Sequence, residues 1–212
     1  MHLVVAGATG GTGKHVVERA LAAGHTVTAL SRSPRPAQLP EHESLAVAQA
    51  EVLKPGGLKE FPEGVDAVVS ALGLNDRRDP TPVCYLGAKN LVAAMRAHGC
   101  SRLLALSAAP VLREGGDPLL ERLITLPIAR WIYRRNYADL ANMEDFLRGH
   151  NDIRWTVLRP GRLLDSPGVG SFRIKSGENV SGSITRSDLA DAVLSVLMDP
   201  TTIRCGVGVG PA

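Results

Sequence analysis

A chain of 212 residues with 44% hydrophobic and 21% charged residues can build one ordinary domain around a substantial core. A formal net charge of +3, with no Lys/Arg run interleaved with aromatics, argues against a nucleic-acid partner. No apolar stretch has the length needed to cross a bilayer, and the opening apolar segment is too short and too uncharged at its flank for a leader. Cys84, Cys100 and Cys205 are odd in number and scattered, which predicts reduced thiols in a cytoplasmic protein rather than a disulfide framework. The histidines lack metal-ligand spacing, so no metal site is expected.

In chain order, Leu3-Val4-Val5-Ala6 predicts a first strand and is followed at once by Gly7-Ala8-Thr9-Gly10-Gly11-Thr12-Gly13. From Lys14 the apolar residues recur at helical spacing until Gly24 supplies a stop. Further strands are predicted at residues 26–30, 45–48, 65–71, 102–107 and 153–158, with a helix at 83–98 closed by Gly99. Residues 33–40 form a Pro-rich surface loop rather than a domain linker. Residues 117–148 read as mostly helical, interrupted at Pro127, carrying Trp131, Tyr133 and Tyr137 beside Arg130, Arg134 and Arg135. That segment is open to two readings, a lid over a pocket or a core or subunit interface. Short extended pieces follow at 171–175 and 179–182. Thr185-Arg186-Ser187-Asp188 has the spacing that opens a helix, ending near Asp199-Pro200, and 203–209 offers a last strand. Strands alternating with helices argue an α/β protein: a doubly wound parallel sheet covered on both faces, as a single domain over 1–212 with a small C-terminal region at 168–212.

A glycine loop between a strand and a helix is the context in which glycines cradle a dinucleotide. They permit a tight turn, close approach of backbone to the diphosphate, and close packing of helix on strand, while the helix N-terminus offers N–H groups and a positive dipole end. Strand two ends in Leu30-Ser31-Arg32-Ser33, with no acidic residue before Glu41. A carboxylate there would favour NAD, and a basic residue accommodates a 2′-phosphate. Arg32 is therefore the leading phosphate partner, helped by Ser31, Ser33 and Arg35, and the expected cofactor is NADP(H) in preference to NAD(H).

The glycine loop, Ala71-Leu72-Gly73, the segment from Gly87 to Gly99, Val157-Leu158-Arg159-Pro160-Gly161 and Ile184-Thr185-Arg186-Ser187-Asp188-Leu189-Ala190 together resemble the short-chain dehydrogenase/reductase superfamily. The resemblance is to its atypical NAD(P)H-binding group, which includes NmrA-like proteins and biliverdin IXβ/flavin reductases, and it implies a Rossmann-like fold. It also implies that Gly7, Thr9, Gly10, Gly11, Thr12 and Gly13 hold the diphosphate and that Glu51 and Val52 lie by the adenine. Ala71, Leu72 and Gly73 would pass the ribose and nicotinamide side. Ser107 would sit near the nicotinamide, and Pro160 and Gly161 would present backbone to its carboxamide. Each position also has a packing explanation, Leu72, Val52 and Pro160 in particular.

The superfamily's active dehydrogenases use a Tyr-x-x-x-Lys pair. Here Tyr133 is followed four residues later by Tyr137, and setting Glu144 on the family's downstream glutamate puts Asn136 and Leu140 at the pair's positions. Losing a poised acid costs on the order of 10²–10⁴ in rate for a ketone, but hydride addition to a flavin, quinone or tetrapyrrole gives a delocalised anion that water can protonate. The expectation is an NADPH-dependent reductase of a planar conjugated small-molecule acceptor, with Ser107 and Tyr133 as candidate catalytic residues and a monomer or homodimer as the assembly. The alternatives are a non-catalytic cofactor sensor of NmrA type and, third, a sugar-nucleotide epimerase.

Overall fold

The computed structural model describes residues 1–73, 79–111 and 132–212. Its centre is a sheet of eight strands. In chain order the elements are β1 (His2–Ala6), α1 (Gly11–Ala22), β2 (Thr26–Ser31), β3 (Leu45–Gln49), β4 (Ala67–Ser70), α2 (Val83–Ala97) and β5 (Arg102–Leu106). They continue with α3 (Arg134–Arg148), β6 (Arg154–Pro160), β7 (Arg162–Leu164), β8 (Arg173–Ser176), β9 (Ser183–Thr185), α4 (Arg186–Met198) and β10 (Cys205–Gly210). The sheet order is β3-β2-β1-β4-β5-β6-β10-β8, parallel throughout except for the antiparallel β10–β8 pair at one edge. A separate parallel pair joins β7 and β9.

Strand order reverses between β1 and β4, so the chain leaves β1 toward one edge and returns to build the other. In open α/β sheets ligands bind in the crevice outside the carboxyl ends of the strands at such a reversal, here the ends of β1 and β4. Alternation along each strand divides the core. Val4, Ala6, Leu103 and Trp155 pack under α2 and α3 with Leu91, Met95, Met143 and Leu147. Leu3, Val5, Leu104 and Leu158 pack under α1 and α4 with Val16, Val17, Leu189 and Val193. The helices obey the same logic: α1 buries Val16, Val17, Ala20 and Leu21, one stripe at helical spacing.

Several predicted boundaries move for identifiable reasons. The strand expected at 65–71 is Ala67–Ser70, because Asp66 is used at its entrance, where its carboxylate accepts from the His2 N–H at 2.7 Å. The strand expected at 153–158 continues to Pro160, because β10 goes on pairing with it through Val209 opposite Pro160. β7 and β9 are three residues each, too short to leave a periodic signal. Of the helical region expected at 117–148, α3 covers Arg134–Arg148, and residues 117–131, including Trp131 and Arg130, lie outside the described residues.

Candidate dinucleotide-binding site

Glycine spacing fixes the geometry of the first turn. Gly7 has φ +77°, and a methyl group added there would lie 2.6 Å from the Ala71 carbonyl oxygen. The loops after β1 and β4 therefore run in direct contact, which brings Ala71, Leu72 and Gly73 beside the glycine loop. The Gly10 N–H donates to the Gly7 carbonyl at 2.9 Å, closing the turn. At Gly13 a methyl group would come 2.0 Å from the Gly7 oxygen, so α1 can seat on the loop only with glycine there. Gly10 is the N-cap of α1 and has no side chain to occupy the helix's first amides, and α1 has no acidic residue in its first turn. Backbone room, a positive helix end and the absence of a competing cap fit a diphosphate. Thr9 is exposed at the turn, while Thr12 is buried on the helix and accepts from Arg186 at 3.2 Å.

At the other end of the crevice, a cleft of about 420 Å³ opens beside the carboxyl ends of β2 and β3. Arg32, Gln49, Glu51, Lys54 and Lys59 are among its lining residues. Ser31 is buried and shapes the turn: its hydroxyl accepts from the Ser33 N–H at 3.1 Å, and Arg32 is thereby turned outward to the cleft. The Gln49 amide holds the Arg32 carbonyl at 3.2 Å. Arg35 is exposed on the following loop and is not among the cleft's lining residues. The floor is a tight pair of turns, in which the Glu51 N–H donates to Gly57 and the Gly57 N–H to Lys54. Val52 is buried in the core, and Asn90 of α2 ties the Val52 carbonyl down at 2.8 Å. Lys54 and Lys59 were not among the sequence candidates. In the sequence they are two lysines in the segment after β3, and nothing local marks them as neighbours of Arg32.

The end expected to face a nicotinamide is built from the carboxyl ends of β4, β5 and β6. Leu72 packs as a wall: its Cδ1 occupies the place a methyl group on Gly87 would need, 2.2 Å away. Among the described residues, no atom lies within 4 Å of the place a methyl group on Gly73 would take. Gly161 passes so close to Gly182 that a methyl group would sit 2.2 Å from the Gly182 oxygen, so this glycine has a packing reason to be one. Ser107 is buried, its N–H donates to the Leu158 carbonyl at 2.7 Å, and its hydroxyl donates to Glu144 Oε1 at 2.7 Å. Glu144 in turn takes a bidentate pair of bonds from Arg159, at 3.0 and 2.5 Å, in the interior. Tyr133 lies at the start of α3, on the surface, its ring 6.0 Å from that of Tyr137. Leu140, at the position of the pair's lysine, is buried in the core.

Two other polar groups near this end are structural. Asp139 of α3 is buried and accepts from the Cys84 and Tyr85 N–H groups at 2.8 and 2.9 Å, capping α2 from another helix. The Cys84 thiol donates to the Leu72 carbonyl, and burial, then the charge of Asp139, pushes its pKa up, so it stays an unreactive thiol.

A parallel sheet that reverses order beside a glycine-bounded helix N-terminus defines a Rossmann-like dinucleotide-binding protein. The chain belongs to the NAD(P)H-binding family, whose model matches residues 7–200. It is 33% identical over 189 residues to a 3-diazoavenalumate denitrifying reductase of a Streptomyces species, covering 82% of this chain and 59% of that protein. An uncharacterized chloroplastic protein of Arabidopsis thaliana is 28% identical over 92% of this chain and 71% of its own length. Among solved structures, the oxidoreductase ylbE of Lactococcus lactis superposes with a TM-score of 0.83 at 21% identity, over 100% of this chain and 91% of that one, a likeness of fold. Family membership agrees with the resemblance to the atypical short-chain dehydrogenase/reductase group and with a nicotinamide cofactor.

Proposed function

We propose that this protein is an NADPH-dependent reductase of a planar, conjugated small-molecule acceptor. The observation that carries the reading is the state of the proton donors at the nicotinamide end. The Ser107 hydroxyl is directed at the buried Glu144, and Leu140 fills core where the family's lysine would stand. A site arranged this way favours acceptors whose reduced form needs no enzymic acid. A bound nicotinamide supplies the hydride. The chain's own residues supply binding and orientation: the glycine loop for the diphosphate, and the ends of β4, β5 and β6 for the face of the ring.

The preference for NADPH rests on Arg32. It lines the same cleft as Lys54 and Lys59, so three cations, with Glu51 and Glu60, surround a space of about 420 Å³ beside the ends of β2 and β3. A guanidinium matches a phosphate with paired charge-assisted hydrogen bonds. The reductase named among the relatives supports redox chemistry as the class.

The test is loss of the nicotinamide absorbance band of NADPH, with FMN, FAD, biliverdin and a quinone offered in turn. Oxidation with at least one of the panel is the expected result. Tight binding of NADPH with no oxidation across the panel overturns the reading in favour of a cofactor sensor.

A further inference from the structure

Four glycines of the loop have different reasons to be glycine. For Gly7, Gly10 and Gly13 the crowding comes from backbone. Gly11 is the exception: the three atoms nearest its missing methyl group all belong to the Arg186 side chain, Nε at 3.1 Å and Cδ and Cζ at 3.2 Å. Arg186 is the first residue of α4, whose N-cap Thr185 accepts from the Asp188 N–H, and α4 packs beside α1 on one face of the sheet. The two helices thus bring their N-termini to the same end of the sheet. The Arg186 guanidinium lies against the first turn of α1. One N–H donates to Asp165 Oδ1 at 2.7 Å and another to Thr12 Oγ1 at 3.2 Å.

We propose that Arg186 is a diphosphate-binding residue, a guanidinium laid over the glycine loop that contacts the diphosphate of a bound dinucleotide. This rests on the reading of the loop as the diphosphate site. A guanidinium has five N–H donors, and the bonds to Asp165 and Thr12 use two of them among the described residues. Asp165 is 84% exposed, so its pair with Arg186 is screened by water, and a doubly charged diphosphate outcompetes a single solvated carboxylate. Thr12 fixes the height of the guanidinium above the helix end, where the α1 dipole and the arginine charge point at the same anion. Arg32 and Arg186 then divide the cofactor between them. Arg32 reads the adenosine end and so discriminates between dinucleotides, while Arg186 holds the part that NAD(H) and NADP(H) share.

The experiment is calorimetric titration of the wild-type protein, R186Q, R186K and R32A with NADP⁺, NAD⁺, ADP-ribose and adenosine 2′-monophosphate. R186Q is expected to weaken NADP⁺, NAD⁺ and ADP-ribose by a common factor of about 10 to 100. It should leave adenosine 2′-monophosphate and the NADP⁺/NAD⁺ ratio unchanged, with R186K intermediate. A folded R186Q that binds ADP-ribose as the wild type does overturns the proposal while leaving the cofactor site standing. Parallel loss of adenosine 2′-monophosphate binding also overturns it, since that pattern reports damage to the fold. Failure of the wild-type protein to bind any dinucleotide overturns the site reading itself.

Discussion

The Ser107 hydroxyl donates to Glu144 at 2.7 Å, which points the one hydroxyl at the end of β5 into the protein rather than outward to a substrate. As an acceptor, the oxygen can still receive a hydrogen bond, and under the proposed reductase reading it would orient a substrate and not protonate it. Ser107→Ala should therefore reduce kcat with a good acceptor by well under the factor on the order of 10²–10⁴ that removal of a general acid costs. Steady-state kinetics with NADPH and the best acceptor checks this. A loss of a thousandfold or more would mean that the hydroxyl turns outward during turnover and delivers a proton.

Glu144 and Arg159 are both almost fully buried, with Arg148 adding a second guanidinium to the same carboxylate at 2.8 Å. Arg159 is further confined by β10, where a methyl group on Gly206 would fall 2.6 Å from its guanidinium. Removing one member of such a pair leaves the other charged and uncompensated. Glu144→Ala is expected to lower unfolding free energy by about 3–5 kcal/mol, as measured by urea denaturation. Glu144→Gln, which keeps an acceptor oxygen and the volume, should cost less. Equal stability of Glu144→Ala and the wild type would mean that Arg159 finds another partner.

Arg32→Ala should weaken NADPH by about 10-fold or more, the worth of a charge-assisted pair, and leave NADH nearly unchanged. Lys54→Ala should do the same to a smaller degree, because Lys54 also sits 3.7 Å from Glu51 in the open. The dissociation constants of both cofactors for each variant check it. Equal wild-type affinity for NADPH and NADH would remove the role assigned to Arg32.

The parts legible in the sequence were those carried by local pattern. β1, the glycine loop and α1 are one continuous signal, with Gly7, Gly10 and Gly13 forced by backbone contacts within the turn or with the segment after β4. The cap of α4 was equally plain, because Thr185 and Asp188 are three residues apart. What stayed hidden depends on chain segments far apart. Arg186 reaches Thr12 across 174 residues, and Asp139 caps α2 from 55 residues away. Lys54 and Lys59 gave no periodic signal because they belong to turns. They become neighbours of Arg32 only when β2 and β3 pair in register, with Ser31 opposite Gln49. Ser107 was placed correctly at the end of its strand, but its buried partner lies on a helix 37 residues later.

Asp188 gives the fold a specific sensitivity to acid. Its carboxylate accepts from the Val169 and Gly170 N–H groups at 3.0 and 2.8 Å and from the Thr185 hydroxyl at 2.8 Å. Burial pushes its pKa up, but these hydrogen bonds, with the nearby charge of Arg19, outweigh that and hold it below the usual carboxylate value of 3.8. Because the folded value is the depressed one, the folded state binds this proton less readily than the unfolded chain. The stabilisation is therefore fully present above the unfolded value near 3.8 and is lost as pH falls through the lower folded one. Asp188→Asn should be less stable than the wild type at neutral pH, and the gap in Tm should close as the pH is lowered from 5 toward 2. Amide exchange at Val169 and Gly170 should quicken in the variant, since both donors lose their charged acceptor. A gap in Tm that stays constant on acidification would show that the carboxylate's charge contributes nothing to holding this turn against α4.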